Sequence, residues 1–389
     1  MPSAPATIAE PAFSISVPIK TGLKYLETTL SSLSLQGGLA EVALLDASGD
    51  SSVRTLAERY APMIAYRYHR SRDGGQSAAI QEGWDNTTAP FVGWLNADDF
   101  LLPGALARAK AVFDADPEVD VVYGHAVYVD EHGAFQQYFP SISEDIAAIT
   151  RGNLICQPAC FVRRTAMQRV GGLDLALHYA MDWDLWIRLY KAGCRFRFLQ
   201  EPLAVVHDHR DTKTRTGGSA RLREIDRCLR SHPTWLERAR SSLSFRLYDY
   251  LYRGESPPLG RRLHGLVSTL RHRNRPYLFG LQCLSNRVEE RCTITLPWFD
   301  RSAPTHLVMM TDREGHYRVR DGAGWRALAP ASAHPVRAAG PERKAFVYTA
   351  PVSMAPANRY DIAVESADGP WRLLSLRLQH QDNGVARQG

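Results

Sequence analysis

The sequence predicts an α/β protein with a doubly wound, mostly parallel sheet, followed by a helical segment and a small all-β, sandwich-like domain. In the first part of the chain, strand-like and helix-like segments alternate, which is typical of a parallel sheet with crossover helices. After about residue 215, arginines fall among helix-forming residues. From Cys292 onward, short strand-like runs alternate with Gly, Pro and Asp turns. We therefore expect an α/β domain at 12–216, a helical arginine-rich segment at 217–285 and a β-rich domain at 290–380.

The composition is that of a folded, multidomain protein. The 389 residues exceed what one core usually supports, and 44% of them are hydrophobic. No apolar run approaches the roughly 20 residues that span a bilayer, and Met1 to Pro11 lacks the pattern of a signal peptide. The six cysteines show no zinc-type spacing, so we expect reduced thiols in a cytoplasmic protein. The net charge of +6 is compatible with an anionic substrate or membrane surface and requires neither.

The elements of the α/β region follow from the spacing of apolar residues. Alternation at 13–17 predicts a first strand, and helical spacing follows through Leu33. The remaining expected elements are strand 41–46, helix 53–60, strand 63–68, helix 76–84, strand 91–95, a helix opened by Pro103 and strand 119–129. In the all-β region we expect strands at 293–296, 306–310, 317–320, 345–348, 360–364 and 371–378.

The segment Trp94-Leu95-Asn96-Ala97-Asp98-Asp99 is a buried strand that runs into clustered acidic residues. In open α/β sheets, ligands bind outside the carboxyl ends of the strands. Carboxylates at that edge suit a hard divalent cation carrying a phosphorylated substrate, which indicates a nucleotide-diphosphate donor. The same residues would also serve as a helix cap before Pro103.

Further motifs appear in a fixed order around this segment. They are Asp46-Ala47-Ser48-Gly49-Asp50, Asp73-Gly74-Gly75-Gln76 through Gly83, Gln157-Pro158-Ala159-Cys160-Phe161, Gly171-Gly172-Leu173-Asp174, His178 through Arg188, and His209 with Thr212-Lys213-Thr214. Together they resemble the family 2 glycosyltransferases of the GT-A fold, over about residues 12–216. The resemblance implies an inverting transfer of a sugar from a nucleotide-diphospho-sugar to a hydroxyl of a glycan, lipid-linked sugar or glycoconjugate, in surface polysaccharide biosynthesis.

The resemblance also implies a divalent cation, Mn²⁺ or Mg²⁺, bound to the donor diphosphate. Asp98 is the first expected ligand, Asp99 the second, and His209 completes the metal shell from a mobile loop. Asn96 stands where many relatives carry the first Asp of an Asp-x-Asp motif, so we interpret it as a donor-orienting group. A surface histidine is the alternative for His209.

Other residues are expected at the nucleotide end of the site. Asp46, Asp73 and Gln76 match donor-contacting positions of the family, and Lys213 and Arg72 are weaker candidates for the diphosphate. The alternative for Asp46 is a simple turn former, and the alternative for Arg72 is a solvated arginine.

Asp182 matches the catalytic aspartate of the family, which deprotonates the acceptor hydroxyl. Met181 replaces the acidic residue that many relatives carry just before it. The alternative for Asp182 is a helix cap, a role that Asp184 could also fill. Trp183 and Asp184 are weaker candidates for acceptor contacts, and a tryptophan on an apolar helical stripe is more often a core residue.

Two other classes compete with this interpretation. A non-catalytic carbohydrate- or nucleotide-sugar-binding scaffold on the same fold would account for Asn96 and Met181. A nucleic-acid-binding protein ranks last, since no nucleic-acid motif accompanies the arginines, and we expect no nucleic-acid partner.

The arginine-rich segment has two possible roles. It either lies on an anionic membrane surface, making the enzyme peripheral on the inner face of the membrane, or forms a helical face that is solvated or packs on another domain. The β-rich domain would contact acceptor glycan or another subunit, or shield the catalytic domain.

Overall fold

The computed structural model describes residues 10–20, 23–70, 74–139, 141, 145–209, 212–213, 217–253, 277–282, 286–298, 302–321, 324–331, 336–337 and 344–380. The chain divides into two compact units. The first comprises residues 1–126, 141–206 and 210–254, and the second comprises 127–140, 207–209 and 255–389.

Up to residue 129, the described helices and strands follow the alternation that the sequence predicts, with one added short strand at Phe100–Leu101. The helices are α1 (Leu23–Ser34), α2 (Ser52–Tyr60), α3 (Gln76–Asp85), α4 (Ala105–Ala115), α5 (Arg164–Arg169), α6 (Met181–Lys191), α7 (Gly218–Leu229) and α8 (Trp235–Arg253). The strands up to residue 207 are β1 (Phe13–Ile19), β2 (Ala40–Asp46), β3 (Ala65–Arg70), β4 (Phe91–Trp94), β5 (Phe100–Leu101), β6 (Val121–Val129), β7 (Phe135–Phe139), β8 (Cys160–Arg163) and β9 (Phe196–His207). The helix expected at Pro103 begins at Ala105 instead, because Gly104 takes a left-handed conformation with φ of 72°.

The first unit is built on four parallel strands in the order β3-β2-β1-β4. Every residue of β2 is buried, as a parallel strand covered on both faces requires. On the far side of β4 the pairing becomes antiparallel, through β8 to β6. Because parallel strands end at a common edge, the residues that follow β2 and β4 emerge on the same side of the sheet.

Helix α3 packs unusually close to this sheet. A Cβ at Gly83 would lie 2.3 Å from Oγ of Ser16 and 2.9 Å from Cδ2 of Leu45, so only glycine fits there. Trp84 at the end of α3 makes an edge contact with Trp94, whose ring stacks on Trp186 of α6. The core therefore joins α3, β4 and α6, the three elements that carry the predicted site.

The second unit contains antiparallel strands. Its remaining strands are β10 (Tyr277–Leu278), β11 (Leu281–Gln282), β12 (Arg287–Val288), β13 (Arg291–Pro297), β14 (His306–Thr311), β15 (Tyr317–Asp321), β16 (Gly324–Ala327), β17 (Ala329–Pro330), β18 (Val336–Arg337), β19 (Lys344–Pro351), β20 (Arg359–Ser366) and β21 (Trp371–Gln379). One sheet has the order β13-β20-β15-β16. In the other, β14 pairs with β19 and β21.

Aromatic contacts join these two sheets. Buried Tyr317 of the first sheet meets Trp371 and Tyr348 of the second, at centroid distances of 5.0 and 4.7 Å. Side chains from two facing sheets thus form one core, which is the sandwich that the sequence predicts.

Helices α7 and α8 occupy the described part of the segment expected to be helical and arginine-rich; residues 254–276 and 283–285 of that segment lie outside the described residues. Over the described part of the chain, none of the helices combines the length and apolar character needed to cross a membrane. The five described cysteines are buried, and none of them forms a disulfide bond.

Candidate functional site

The carboxylate of Asp46 is fixed at the end of β2. Its Oδ1 accepts hydrogen bonds from the backbone N and the Oγ of Ser48, at 2.8 and 2.6 Å, and its Oδ2 accepts one from the hydroxyl of Tyr68 at 2.6 Å. This is the turn geometry expected of an aspartate after a strand. The turn alternative for Asp46 is therefore realised, and donor contact by this residue stays a prediction.

Asn96 follows β4 and connects a predicted donor residue, Gln76, with a predicted metal ligand, Asp99. Its Oδ1 accepts a hydrogen bond from Nε2 of Gln76 at 2.6 Å, and its Nδ2 donates to Oδ2 of Asp99 at 2.9 Å. An aspartate at this position would place a second carboxylate beside Asp99, whereas the amide supplies a donor to it. Asn96 thus orients both Gln76 and Asp99.

Gln76 occupies the first turn of α3. The residue before it, Gly75, has φ of 90°, which is strained for any residue with a side chain. The helix consequently starts abruptly at the sheet edge, with Gln76 facing Asn96.

The ammonium group of Lys213 joins the two halves of the candidate site. It donates to Oε1 of Gln76 and to the backbone oxygen of His178, the latter at 3.0 Å. Burial lowers the pKa of Lys213 to about 8, although the carboxylates of Glu224 and Asp182 act in the opposite direction. Desolvation, together with the charge of Lys213, also lowers the pKa of His178.

Asp182 lies in the first turn of α6. Its Oδ2 accepts a hydrogen bond from Nδ2 of Asn153 at 2.9 Å. Desolvation raises the pKa of Asp182 above its ordinary value of 3.8, although the hydrogen bonds from Trp183 and Asn153 and the charge of Arg221 partly counteract this. A carboxylate with a raised pKa is a stronger proton acceptor.

A carboxylate from another helix holds the start of α6. Glu224 of α7 accepts hydrogen bonds from the backbone N–H groups of His178, Tyr179 and Ala180, with shortest distances of 3.0, 2.6 and 2.9 Å. Ala180, at the N-cap position, has no side-chain cap, so Glu224 supplies acceptors and a negative charge at the positive end of the helix.

Met181 fills the position where the resemblance implies an acidic residue. It is buried, and its sulfur lies 2.8 Å from Oγ of Ser77, which donates to the backbone oxygen of Leu177 at 2.6 Å. The first turn of α3 therefore contacts the start of α6 directly, and Met181 contributes packing to that contact.

Sequence comparison matches part of the chain to a known family. Residues 14–171 match the family described as glycosyl transferase family 2. This part of the chain belongs to that family. The chain is a glycosyltransferase, and its α/β fold and the strand-end position of its acidic motif accord with the resemblance.

The chain is similar to curated proteins and to solved structures. The chain is 29% identical over 187 residues to a PGL/p-HBAD biosynthesis glycosyltransferase of Mycobacterium tuberculosis, covering 47% of this chain and 71% of that protein. It is 33% identical over 135 residues to the O-antigen biosynthesis protein RfbC of Myxococcus xanthus, covering 34% of this chain and 10% of that protein. Among solved structures, S. aureus TarS 1-349 in complex with UDP-GlcNAc is similar with a TM-score of 0.48 and 18% identity, covering 67% of this chain and 77% of that chain.

The three predicted metal ligands differ in their burial and in the compact unit to which they belong. Asp99 is buried and Asp98 is partly buried, and both lie in the turn between β4 and β5. His209 belongs to the second compact unit. No three histidine, cysteine, aspartate or glutamate side chains among the described residues are arranged to hold a metal ion. Arg72 and Asp73 lie outside the described residues, so their donor contacts stay predictions.

The two weaker acceptor candidates have structural contacts. Trp183 is 2% exposed, donates from Nε1 to the backbone oxygen of Ile149 and packs on Phe245. Trp183 is therefore a core residue, the alternative named for it, and its side chain has no surface on which a sugar could stack. Asp184 forms an ion pair with Arg188 at 2.7 Å, one turn along α6.

Asn153 and Glu224 are the neighbours of the predicted base that sequence reasoning missed. They lie 29 residues before and 42 residues after Asp182. Neither has a local pattern that points to α6, because Asn153 lies in a loop and Glu224 looks like an ordinary helix charge. Only the tertiary fold reveals them.

Proposed function

We propose that the chain is an inverting glycosyltransferase that moves a sugar from a nucleotide-diphospho-sugar to an acceptor hydroxyl, with its catalytic domain over about residues 12–216. The observation that carries this proposal is the position of Lys213, hydrogen-bonded to Gln76 on one side and to His178, four residues before Asp182, on the other. A cation thus lies between the predicted donor residues and the predicted base.

Asp182 acts as the base in this proposal. Its carboxylate takes the proton of the acceptor hydroxyl while the acceptor oxygen bonds to the anomeric carbon. The bond from that carbon to the diphosphate breaks on the opposite face, which inverts the configuration. The raised pKa of Asp182 supports the role, since it brings the basicity of the carboxylate closer to what proton transfer near neutral pH needs.

The donor would lie along the ends of β2 and β4. Asp46 and Gln76, with Asn96, offer oriented polar atoms to the nucleotide and sugar. Asp73 is proposed as a further donor contact from the resemblance. Lys213, with Arg72, supplies positive charge for the diphosphate, whose negative charge increases as it leaves.

The residues present fit a divalent cation held chiefly by the substrate. Mg²⁺ and similar ions commonly bind through one or two carboxylates plus substrate phosphates, and Asp98 and Asp99 provide those carboxylates. Asn96 already donates to Asp99, which orients that carboxylate. Bound Mn²⁺ or Mg²⁺ would neutralise the leaving diphosphate, and the role of His209 as a ligand stays a prediction from the resemblance.

The acceptor is proposed to be a glycan, a lipid-linked sugar or another glycoconjugate of surface polysaccharide biosynthesis. The printed names of the two relatives, from PGL/p-HBAD and O-antigen biosynthesis, support this class. A lipid-linked acceptor would bring a cytoplasmic enzyme to the inner face of the membrane.

The test is release of nucleoside diphosphate from a panel of sugar nucleotides, with candidate lipid-linked and glycan acceptors. We expect Asp182→Asn to lower turnover by about 10²–10⁴-fold while donor binding persists. Asp114→Asn, at an exposed aspartate of α4 that pairs with Lys110, is the control and should keep most activity. The anomeric configuration of the product, read by NMR, tests inversion.

A non-catalytic scaffold on the same fold predicts a different result. It would bind sugar nucleotide without releasing nucleoside diphosphate, and Asp182→Asn would change nothing. Full turnover by Asp182→Asn would show that Asp182 is not the catalytic base.

A further inference from the structure

The exposed large apolar side chains of the described residues concentrate on helix α8. Six such side chains are exposed, and four of them lie there: Trp235 at 72%, Leu236 at 49%, Leu243 at 69% and Leu247 at 39%. The other two, Met63 and Leu175, lie in separate loops of the first unit. Scattered exposed apolar residues are ordinary, but a cluster on one helix marks an interaction surface.

Helical spacing places three of these leucines on one face. Leu243 follows Leu236 by seven residues, and Leu247 follows Leu243 by four, so they form a single stripe. Phe245 lies on the opposite face, where its ring packs 5.5 Å from that of Trp183. Ser242 fixes the same face by donating to Oδ1 of Asp226 at 2.7 Å. The stripe therefore faces outward because the other face of α8 is already packed within the first unit.

Arginines border the leucine stripe. Arg240 and Arg246 lie on either side of it and are both mostly exposed, although each also pairs with an acidic residue. Residues 217–253 contain eight arginines and four acidic residues, which gives them a net charge of +4. An apolar stripe between arginines, on a basic helical pair, is complementary to a surface that has an anionic outer layer and an apolar layer beneath it.

We propose that α8 docks on an anionic lipid bilayer. In this arrangement Leu236, Leu243 and Leu247 enter the boundary between headgroups and acyl chains, and Arg240 and Arg246 contact lipid phosphates. Trp235 lies at the headgroup level, which tryptophan favours because its ring is apolar and its N–H is polar. The inference deepens the proposed function by naming the surface that presents a lipid-linked acceptor.

Co-sedimentation of the full chain with phospholipid vesicles tests the proposal without donor or acceptor. We expect binding to vesicles that contain phosphatidylglycerol, weak binding to pure phosphatidylcholine vesicles, and a decline with added salt. Leu243→Ser combined with Leu247→Ser should weaken binding by about tenfold or more, because the buried apolar area is lost. Arg240→Gln should weaken it by about fivefold.

Matched controls separate this surface from general effects. Met63→Ser removes an apolar side chain of similar exposure, and Arg54→Gln removes an arginine that is paired within its own helix as Arg240 is. Both should leave vesicle binding unchanged. Melting with sugar nucleotides, measured on the same variants, shows whether the donor site is intact, so loss of lipid binding and loss of the transferase function are distinguishable.

Three results would overturn the proposal. They are no binding to anionic vesicles at low salt, equal binding by the double leucine variant and the parent, and a concentration-dependent dimer that the double leucine variant abolishes. The last result would assign the stripe to an interface between two copies of the chain.

Discussion

Asn153 donates a hydrogen bond from Nδ2 to Oδ2 of Asp182 over 2.9 Å, and it thereby ties the loop before β8 to the first turn of α6. Two opposing effects meet at this carboxylate. Desolvation raises its pKa, and the hydrogen bond from Asn153 lowers it by favouring the charged form. The same bond also fixes the direction of Oδ2. Asn153 is therefore a positioning residue for the proposed base.

Replacing Asn153 with alanine should move the pH profile of the enzyme. Without the donated hydrogen bond, the pKa of Asp182 rises further, so a higher pH is needed to form the carboxylate. We expect the acid limb of kcat/KM to shift to higher pH, with partial recovery of activity on the alkaline side. Asn86→Ala, which removes an exposed side-chain hydrogen bond at the C-terminal end of α3, is the control. An unchanged acid limb together with an ordinary loss of stability would assign Asn153 a structural role only.

Lys213 should make donor use sensitive to alkaline pH. Its pKa is lowered to about 8, so the free enzyme loses this positive charge as the pH rises through that value. If the ammonium group binds the diphosphate, kcat/KM for the donor falls above about pH 8. Lys213→Arg stays charged and should remove the alkaline fall, whereas Lys213→Met should be weak at every pH. A parent enzyme whose donor kcat/KM stays flat up to about pH 9, roughly a unit above the pKa of Lys213, would contradict the role.

Glu224 should affect catalysis more than donor binding. Glu224→Ala leaves three backbone N–H groups at the start of α6 without their acceptor, at a cost of about 0.5–2 kcal/mol. We expect lower kcat with little change in donor KM, because α6 carries Asp182 and the donor residues lie elsewhere. Glu224→Gln keeps one acceptor oxygen and should recover part of the rate. Equal losses of kcat in Glu224→Ala and Glu224→Gln would show that the negative charge of Glu224 matters more than its acceptor oxygens. A rise in donor KM with unchanged kcat would contradict the assignment of Glu224 to the support of α6.

Gly83→Ala should destabilise the first unit. The added Cβ would lie 2.3 Å from Oγ of Ser16, whose hydroxyl donates to the backbone oxygen of Ile80, so α3 must move away from β1. Overpacking of this kind costs about 1–3 kcal/mol. Thermal unfolding followed by circular dichroism measures it, and Gly152→Ala, which meets no atom within 4 Å, is the control. Equal melting temperatures for the two variants would show that α3 adjusts freely.

Local patterns in the sequence account for most of the fold. Apolar periodicity located β1 to β4, β6, α1 to α4 and the strands β13, β14, β15, β19, β20 and β21 to within a few residues, because each of these elements is defined by its own spacing. The short strands, α5 and the strands β7, β8 and β9 were not predicted. The strand ends at Asp46 and Asn96 were predictable for the same reason. The boundary at Pro103 moved to Ala105 because the left-handed turn at Gly104 intervenes, and that depends on backbone geometry.

The candidate site was only partly predictable. Resemblance supplied Gln76, Asn96 and Asp182, but it could not supply the contacts between them. The hydrogen bond from Lys213 to Gln76 joins residues 137 positions apart, and Glu224 reaches α6 from a different helix. The role of Trp183 was ambiguous because an apolar helical stripe has the same sequence pattern whether it faces a ligand or the core. These features arise from tertiary packing.

Donor binding tests the central claim most directly. The measurement is thermal melting of the parent, Asp98→Ala and Asp182→Asn with a panel of sugar nucleotides, each with and without Mn²⁺. A ligand that binds the native state alone raises the melting temperature by mass action. We predict a Mn²⁺-dependent rise with one nucleotide for the parent and for Asp182→Asn, and its loss in Asp98→Ala. No rise with any nucleotide, or an undiminished Mn²⁺-dependent rise in Asp98→Ala, would contradict the account.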